Sequence, residues 1–147
     1  MSPGAPPDGK GPAARRMVVR ADGASKGNPG PSACGAVIEM DGEVIWDGGR
    51  RLGRTTNNVA EYEGLILGLE TAASLGADVV EVKLDSELLV RQIGGSYRVK
   101  SPKLKPLYAK VTRLLSGFGE WSVSHVPREE NAAADRAANE ALKGGGA

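Results

Sequence analysis

Four acidic residues, Asp22, Glu61, Asp85 and Asp135, stand in local contexts that would bring carboxylates to one rim of a sheet. Asp22 follows the apolar run from Met17 to Ala21 and opens the stretch DGASKGNPG, while Asp85 follows the β-branched stretch DVVEVKL, so both are expected at strand ends. Glu61 and Asp135 fall near the starts of expected helices. Two strand ends and two helix starts can meet at one edge of an open α/β sheet, the usual place for a site. Clustered carboxylates suit hard cations such as Mg²⁺, which take oxygen ligands. The chain has one histidine, His125, and one cysteine, Cys34, which excludes a zinc centre built from several of either. Taken singly, each acid also has an ordinary structural explanation: a turn aspartate before Gly23, a first-turn glutamate favoured by the helix dipole, a solvated helical aspartate.

The elements that must position these acids follow from pattern. With 147 residues, 40% hydrophobic and 25% charged, the chain suits one globular domain. Met17 to Ala21, Ala33 to Met40 and Val44 to Leu52 read as an antiparallel meander, with Asp41 and Gly42 as a hairpin turn. Ala60, Leu65, Leu67, Leu69 and Ala72 mark a helix from Asn58 to Leu75, with N-cap candidates at Thr55 to Asn58 and Gly76 at its end. A strand from Val79 to Leu84 is followed by a short helix from Ser86 to Ile93, capped by Ser86 or Asp85. A helix from Leu104 to Leu115, a strand from Trp121 to Val126 and a helix from Glu129 to Leu142 complete the chain. Gly64 and Gly68 share a face with Glu61, and glycine costs a helix roughly 1 kcal/mol relative to alanine, which makes sense where backbones approach closely. The same reading applies to Ala132, Ala134 and Ala138 around Asp135. Trp46 and Trp121 fall in strands and are expected in the core.

The formal net charge of +1 hides an uneven distribution. No acid occurs between Glu87 and Glu120, a stretch that carries Arg91, Arg98, Lys100, Lys103, Lys105, Lys110 and Arg113. Such a run is either a phosphate-facing patch, with Tyr97 as an aromatic candidate within it, or a solvated face. A lone cysteine forbids an internal disulfide, and no apolar run approaches the roughly 20 residues that span a bilayer, so a soluble, cytoplasmic protein without a membrane partner is expected. Residues 1–16, rich in Pro, Gly and Ala, read as a disordered tail, 17–143 as the domain, and 144–147 as a flexible tail.

The motifs DGASKGNPGPSACGAVI, TTNNVAEYEGL, VKLDSELLV and HVPREENAAADRAANEAL resemble, in order and spacing, those of type 1 ribonuclease H, in its compact form without a separate hybrid-binding domain. The resemblance runs from Met17 to about Leu142. It implies the ribonuclease H-like α/β fold, a mixed five-stranded sheet flanked by helices, and an endonuclease that cuts the RNA strand of RNA/DNA hybrids as a monomer. It implies two Mg²⁺ ions, with Mn²⁺ as a substitute: Asp22 between both, Asp135 completing the nucleophile-side site, Glu61 and Asp85 holding the other. Two such ions activate water and stabilise the departing oxygen, leaving a 5′-phosphate and a 3′-hydroxyl.

By the same resemblance His125, ten residues before Asp135, would assist proton transfer, with Arg128 an alternative cation in that region. Asn28, Asn57 and Asn58 would touch the minor groove of the hybrid, where the 2′-hydroxyl marks RNA, and Arg54 and Thr56 would hold a phosphate of the DNA strand. Turn formation by Asn28 and capping by Asn57 are equally ordinary roles. The stretch GGSYRVKSPKLK is shorter than the basic protrusion of some relatives, which implies modest affinity. Two other classes fit the motifs less well. A non-cleaving hybrid-binding module has no use for four carboxylates facing phosphate, and a superfamily nuclease acting on another nucleic acid would lack the NPG and TTNN motifs.

Overall fold

The computed structural model, which describes residues 14–144, joins five strands in one sheet, with β-branched and apolar residues buried along its central strands. The elements are β1 (Arg16–Ser25), β2 (Gly30–Met40), β3 (Glu43–Thr55), α1 (Asn57–Ser74), β4 (Val79–Leu84), α2 (Glu87–Ile93), α3 (Lys105–Ser116), β5 (Glu120–His125) and α4 (Ala132–Gly144). The strand order is β3-β2-β1-β4-β5. β1, β2 and β3 pair antiparallel, whereas β4 pairs parallel with both β1 and β5. The expected mixed sheet and element order are present. Asp41 and Gly42 turn the β2–β3 hairpin with φ of 54° and 81°, the pair of positive values that a two-residue hairpin loop needs.

Helices cover both faces of the sheet, and the parity of β2 shows how. Successive side chains of a strand point to opposite faces. A Cβ added to Gly68 of α1 would come within 3.3 Å of Ala36 Cβ, so Ala36 faces α1. Its neighbour Gly35 faces α4, where an added Cβ would lie 2.8 Å from Ala137. Gly35 pairs across the sheet with Gly49, itself within 2.9 Å of the Ala137 carbonyl by the same construction. Two facing glycines thus form a floor on which the alanines of α4 lie. The sequence showed the small residues of the helix but not the matching glycines of the sheet. On the α1 side, Met17, Val19, Tyr62, Leu65, Leu69, Val80 and Val82 form the core, with α3 closing it through Val111 and Leu115.

Several expected boundaries move, each for a local reason. β1 does not end before Asp22 but runs to Ser25, because Asp22, Gly23, Ala24 and Ser25 stay paired with Gly35, Cys34, Ala33 and Ser32. What ends near Asp22 is the other ladder: β1 pairs with β4 only as far as Arg20 opposite Lys83. Asp22 therefore lies inside a strand, at the point where its neighbour has departed. The last helix does not start at Glu129. A 3-10 turn occupies Arg128–Asn131, and Asn131 is drawn inward, its Nδ2 donating to the Ala21 carbonyl at 2.9 Å. Trp121 is not in the core: β5 is an edge strand, and that side chain is 40% exposed. Trp46 is half-buried against the core. The two expected tails lie largely outside the described residues. Where they are described, Arg15 donates its backbone N–H to Asp78 Oδ2 at 2.8 Å, Arg16 begins β1 and Gly144 closes α4.

Candidate active site

Four elements deliver the four acids to one cleft of about 590 Å³. β1 brings Asp22, the residue after β4 is Asp85, α1 brings Glu61, and the first turn of α4 brings Asp135. Close backbone approach makes this possible. A Cβ on Gly23 would lie 2.7 Å from the Glu61 nitrogen, and one on Gly64 would lie 2.7 Å from the Asp22 carbonyl oxygen. No larger residue at either position would let α1 rest against β1 where their acids meet. Capping frees the remaining acid. Ser86, not Asp85, caps α2, its side chain accepting from the Leu89 N–H at 3.3 Å, so the Asp85 carboxylate is left to the cleft. Thr56 caps α1 through the Val59 N–H at 3.3 Å, and Asn57, released from capping, lines the cleft.

Asp22, Glu61 and Asp85 each present a carboxylate oxygen within 4.8 Å of the others. Asp135 lines the same cleft but stands outside that tight set. Asp22 is 5% exposed; its Oδ1 accepts from the Gly23 N–H at 2.9 Å, and its Oδ2 is buried without a hydrogen-bond partner. A buried carboxylate oxygen with no donor is expensive unless something positive meets it. The titration of the site shows the same shortage. Burial, then the charge of Asp85, push Asp22 up to about 8, with Asp135 and Glu61 adding to the rise and the Gly23 N–H opposing it. Burial and Asp85 push Glu61 up to about 7, against the pull of Arg128 and a hydrogen bond from Ser86. The residues present fit a divalent cation: hard oxygen donors, mutually repelling, with one orphaned buried oxygen.

The other candidates divide by place. Arg128 lines the cleft and bears on Glu61. His125, exposed at the end of β5 opposite Leu84, is not among the lining residues. Asn28, Thr56 and Asn58 line a neighbouring groove of about 330 Å³ with Ser101, Lys103 and Leu104. Asn28 also ties the turn to α1, its Oδ1 accepting from the Asn57 N–H at 3.1 Å. Arg54 is exposed on β3 opposite Pro31. Farther along the same loop, Tyr97, Arg98, Lys105 and Tyr108 line a third hollow. Within the basic stretch, Arg91 pairs with Glu87 at 3.0 Å and sits 5.3 Å from the Tyr97 ring centre, and Lys110 pairs with Glu70 at 3.3 Å.

Two residues at this site were not singled out from sequence. Asn139 lines the cleft and donates to Asp135 Oδ1 at 3.1 Å; its place four residues after Asp135 on one helix was the available signal. Asn131, fully buried, holds the start of α4 to β1 beside Asp22, and nothing in local pattern marks it.

A family model described as reverse transcriptase-like matches residues 20–141. Ribonuclease HI of Halobacterium salinarum is 48% identical over 128 residues, covering 86% of this chain and 64% of that protein. A crystal structure of RNase H1 from that archaeon has a TM-score of 0.85 at 46% identity, covering 87% of this chain and 98% of its own. Ribonuclease H of Sulfurovum sp. is 32% identical over 140 residues, covering 88% of this chain and 92% of that protein. LC11-RNase H1, isolated from compost by a metagenomic approach and solved in complex with an RNA/DNA hybrid, has a TM-score of 0.83 at 40% identity, covering 89% and 99%. The chain spans 64% of the length of the Halobacterium relative and 35% of that of its mycobacterial relatives.

Proposed function

The chain belongs to the ribonuclease H family, and from that premise we propose that it hydrolyses the RNA strand of RNA/DNA hybrids, as a metal-dependent endonuclease leaving 5′-phosphate and 3′-hydroxyl ends. The observation that carries this reading is the carboxylate cluster itself. Three carboxylate oxygens within 4.8 Å, one residue of the three nearly sealed from solvent, would repel a phosphodiester unless cations were held between them. Asp22, Glu61, Asp85 and Asp135 would hold that charge, Mg²⁺ being the expected ion and Mn²⁺ a substitute. A hard divalent cation there supplies activation of water and stabilisation of the departing 3′-oxygen.

The remaining work falls to this chain's own groups. Arg128 places a positive charge at the cleft wall, suited to a phosphate oxygen or to the charge that develops on departure. His125 stands one strand end away and would act only if its segment swings inward. Asn57 in the cleft, with Asn28 and Asn58 in the adjoining groove, offers neutral donors and acceptors of the kind a 2′-hydroxyl needs, while Thr56 of that groove would help hold a phosphate of the DNA strand. Arg54, Lys103 and Lys105 would meet backbone phosphates, which position a duplex without reading its sequence. A monomer working in the cytoplasm fits this reading. No described helix is long and apolar enough to cross a membrane.

The test is a cleavage assay on hybrid, duplex DNA and duplex RNA, each with Mg²⁺ and with EDTA. Cleavage of hybrid RNA alone, and only with metal, is the expected result. Tight hybrid binding without cleavage would favour a binding module, and cutting of duplex DNA would move the chain to another branch of nuclease chemistry.

A further inference from the structure

Asp135 is the acid that the tight carboxylate set leaves out, and its side chain is held by a side-chain amide, that of Asn139. Asn139, one helical turn later and part-buried, donates through Nδ2 to Asp135 Oδ1 at 3.1 Å and to the Asp135 carbonyl at 2.9 Å. An amide nitrogen has two hydrogens, enough for both acceptors, and turning the side chain would give up both contacts. Pairs of this spacing add little to helix stability by themselves. This one, however, lines the cleft together with the carboxylate it holds.

We propose that Asn139 is a positioning residue: it fixes the Asp135 carboxylate at the cleft wall and thereby sets the affinity of the weaker of two divalent-cation sites, the one to which Asp135 contributes. The proposal rests on the metal-dependent reading above. Its physical basis is that a neutral amide orients a carboxylate without cancelling its charge, whereas a cation at the same place would compete with the ion. Removing a partner that orients a metal ligand commonly costs about 10–100-fold in metal affinity. The Asn139 amide makes its hydrogen bonds to Asp135 and none to Asp22, Glu61 or Asp85, which would hold the tighter ion independently of it.

Calorimetric titration of the whole protein with Mn²⁺ tests this, using the parent, Asn139→Ala and Asn139→Gln, with thermal melting of each in EDTA. The parent is expected to show two classes of site. Asn139→Ala should weaken the weaker class about tenfold, leaving the tighter one in place, while Asn139→Gln, which keeps the amide donor, restores most of the loss. Melting in EDTA should stay close to the parent, and the Mg²⁺ concentration for half-maximal cleavage should rise in step with the calorimetric loss. An Asn139→Ala isotherm superimposable on the parent's, or a single class of site in the parent, overturns the proposal. So does a lower melting temperature in EDTA with unchanged Mn²⁺ binding, which would make the pair a helix contact only. A parent that takes up no Mn²⁺ at all would instead overturn the metal-dependent reading on which the proposal stands.

Discussion

The acidic cleft and the basic stretch that follows α2 both gather like charges, yet they differ in what surrounds the charge. In the cleft, Asp22 is 5% exposed and closely overlain by backbone, and burial first, then the charge of Asp85, raises both Asp22 and Glu61 well above the ordinary carboxylate range. In the basic stretch the cations lie at the surface, two of them, Arg91 and Lys110, paired with acids, and salt screens them. Buried like charge is therefore maintained by the fold and answered by a ligand, whereas exposed like charge is tolerated and acts over distance.

The largest expected effect is the loss of chemistry when the buried side of this contrast is altered. Asp22→Asn and Asp85→Asn should each bring hybrid cleavage below detection in Mg²⁺ while leaving the fold intact by circular dichroism. Substantial residual cleavage by either variant would detach that residue from the metal-binding role. A purely steric change should instead harm the fold without touching any charge. Gly64→Ala gains roughly 1 kcal/mol of helix propensity. Its Cβ, however, would lie 2.7 Å from the Asp22 carbonyl oxygen and 3.1 Å from that of Gly35, and backbone cannot yield as a side chain can. Overpacking of this kind costs about 1–3 kcal/mol, so thermal or urea unfolding should show net destabilisation. An Ala variant as stable as the parent would mean that α1 can lift from β1 freely, and the close packing offered as the basis of the cleft would lose its force.

The pH dependence of the metal-free protein sharpens the contrast next. Asp22 is raised from 3.8 to about 8 in the fold, so the folded state keeps a proton that the unfolded chain releases near pH 4. The stability linked to that proton is fully present below about pH 4 and is lost as pH rises through about 8. Glu61, raised to about 7, acts in the same direction over a narrower window. In EDTA the parent should accordingly lose melting temperature between pH 4 and pH 8 relative to Asp22→Asn, which has no such proton to release. The variant should melt higher than the parent well above pH 8, where the parent's charge is fully formed. At pH 8, Mg²⁺ should raise the parent's melting temperature and the variant's less. A difference between the two proteins that stays flat across this range would mean that the Asp22 carboxylate is not strained by its neighbours.

Much of the fold could be read from the sequence because alternation, caps and turn residues are local: Thr56 and Ser86 as caps, Asp41 and Gly42 as the hairpin turn, and the small face of α1 all took their expected places. The misread segments are those governed by partners distant in sequence. DGAS reads as a loop because small residues there carry no apolar period, yet it is strand because β2 pairs with it and α1 crosses above it. Trp121 reads as core because it is large and apolar, but β5 is an edge strand and leaves that side chain 40% exposed. The gathering of the four acids was expected from their places at strand ends and helix starts and from motif order; their approach depends on Gly23, Gly64 and Asn131, whose roles appear only when β1, α1 and α4 are placed together.

The smallest expected effect lies within the basic stretch, where the surrounding structure separates one lysine from its neighbours. Lys103 lines the groove beside Asn28 and Thr56, Lys105 lines the next hollow, and Lys100 is exposed on the loop between the two helices. Lys110 is instead paired with Glu70 of α1 at 3.3 Å. Removing a cation that neutralises one phosphate makes the dependence of log affinity on log salt shallower by about 0.9 on duplex DNA. Replacing Lys100, Lys103 and Lys105 together by Ala should therefore weaken hybrid binding and flatten that dependence, with little effect on saturated cleavage. Lys110→Ala should leave the salt dependence unchanged, since its charge is already answered by Glu70 and an exposed pair of this kind contributes about 0–1 kcal/mol to the fold. Fluorescence anisotropy of a labelled hybrid across a series of salt concentrations measures both. If Lys110→Ala flattens the dependence as much as the triple variant, the stretch acts as a diffuse cloud of charge and the grooves do not form a track for the nucleic acid. If neither variant changes it, the stretch is a solvated face, and binding falls to the asparagines and Arg54 alone.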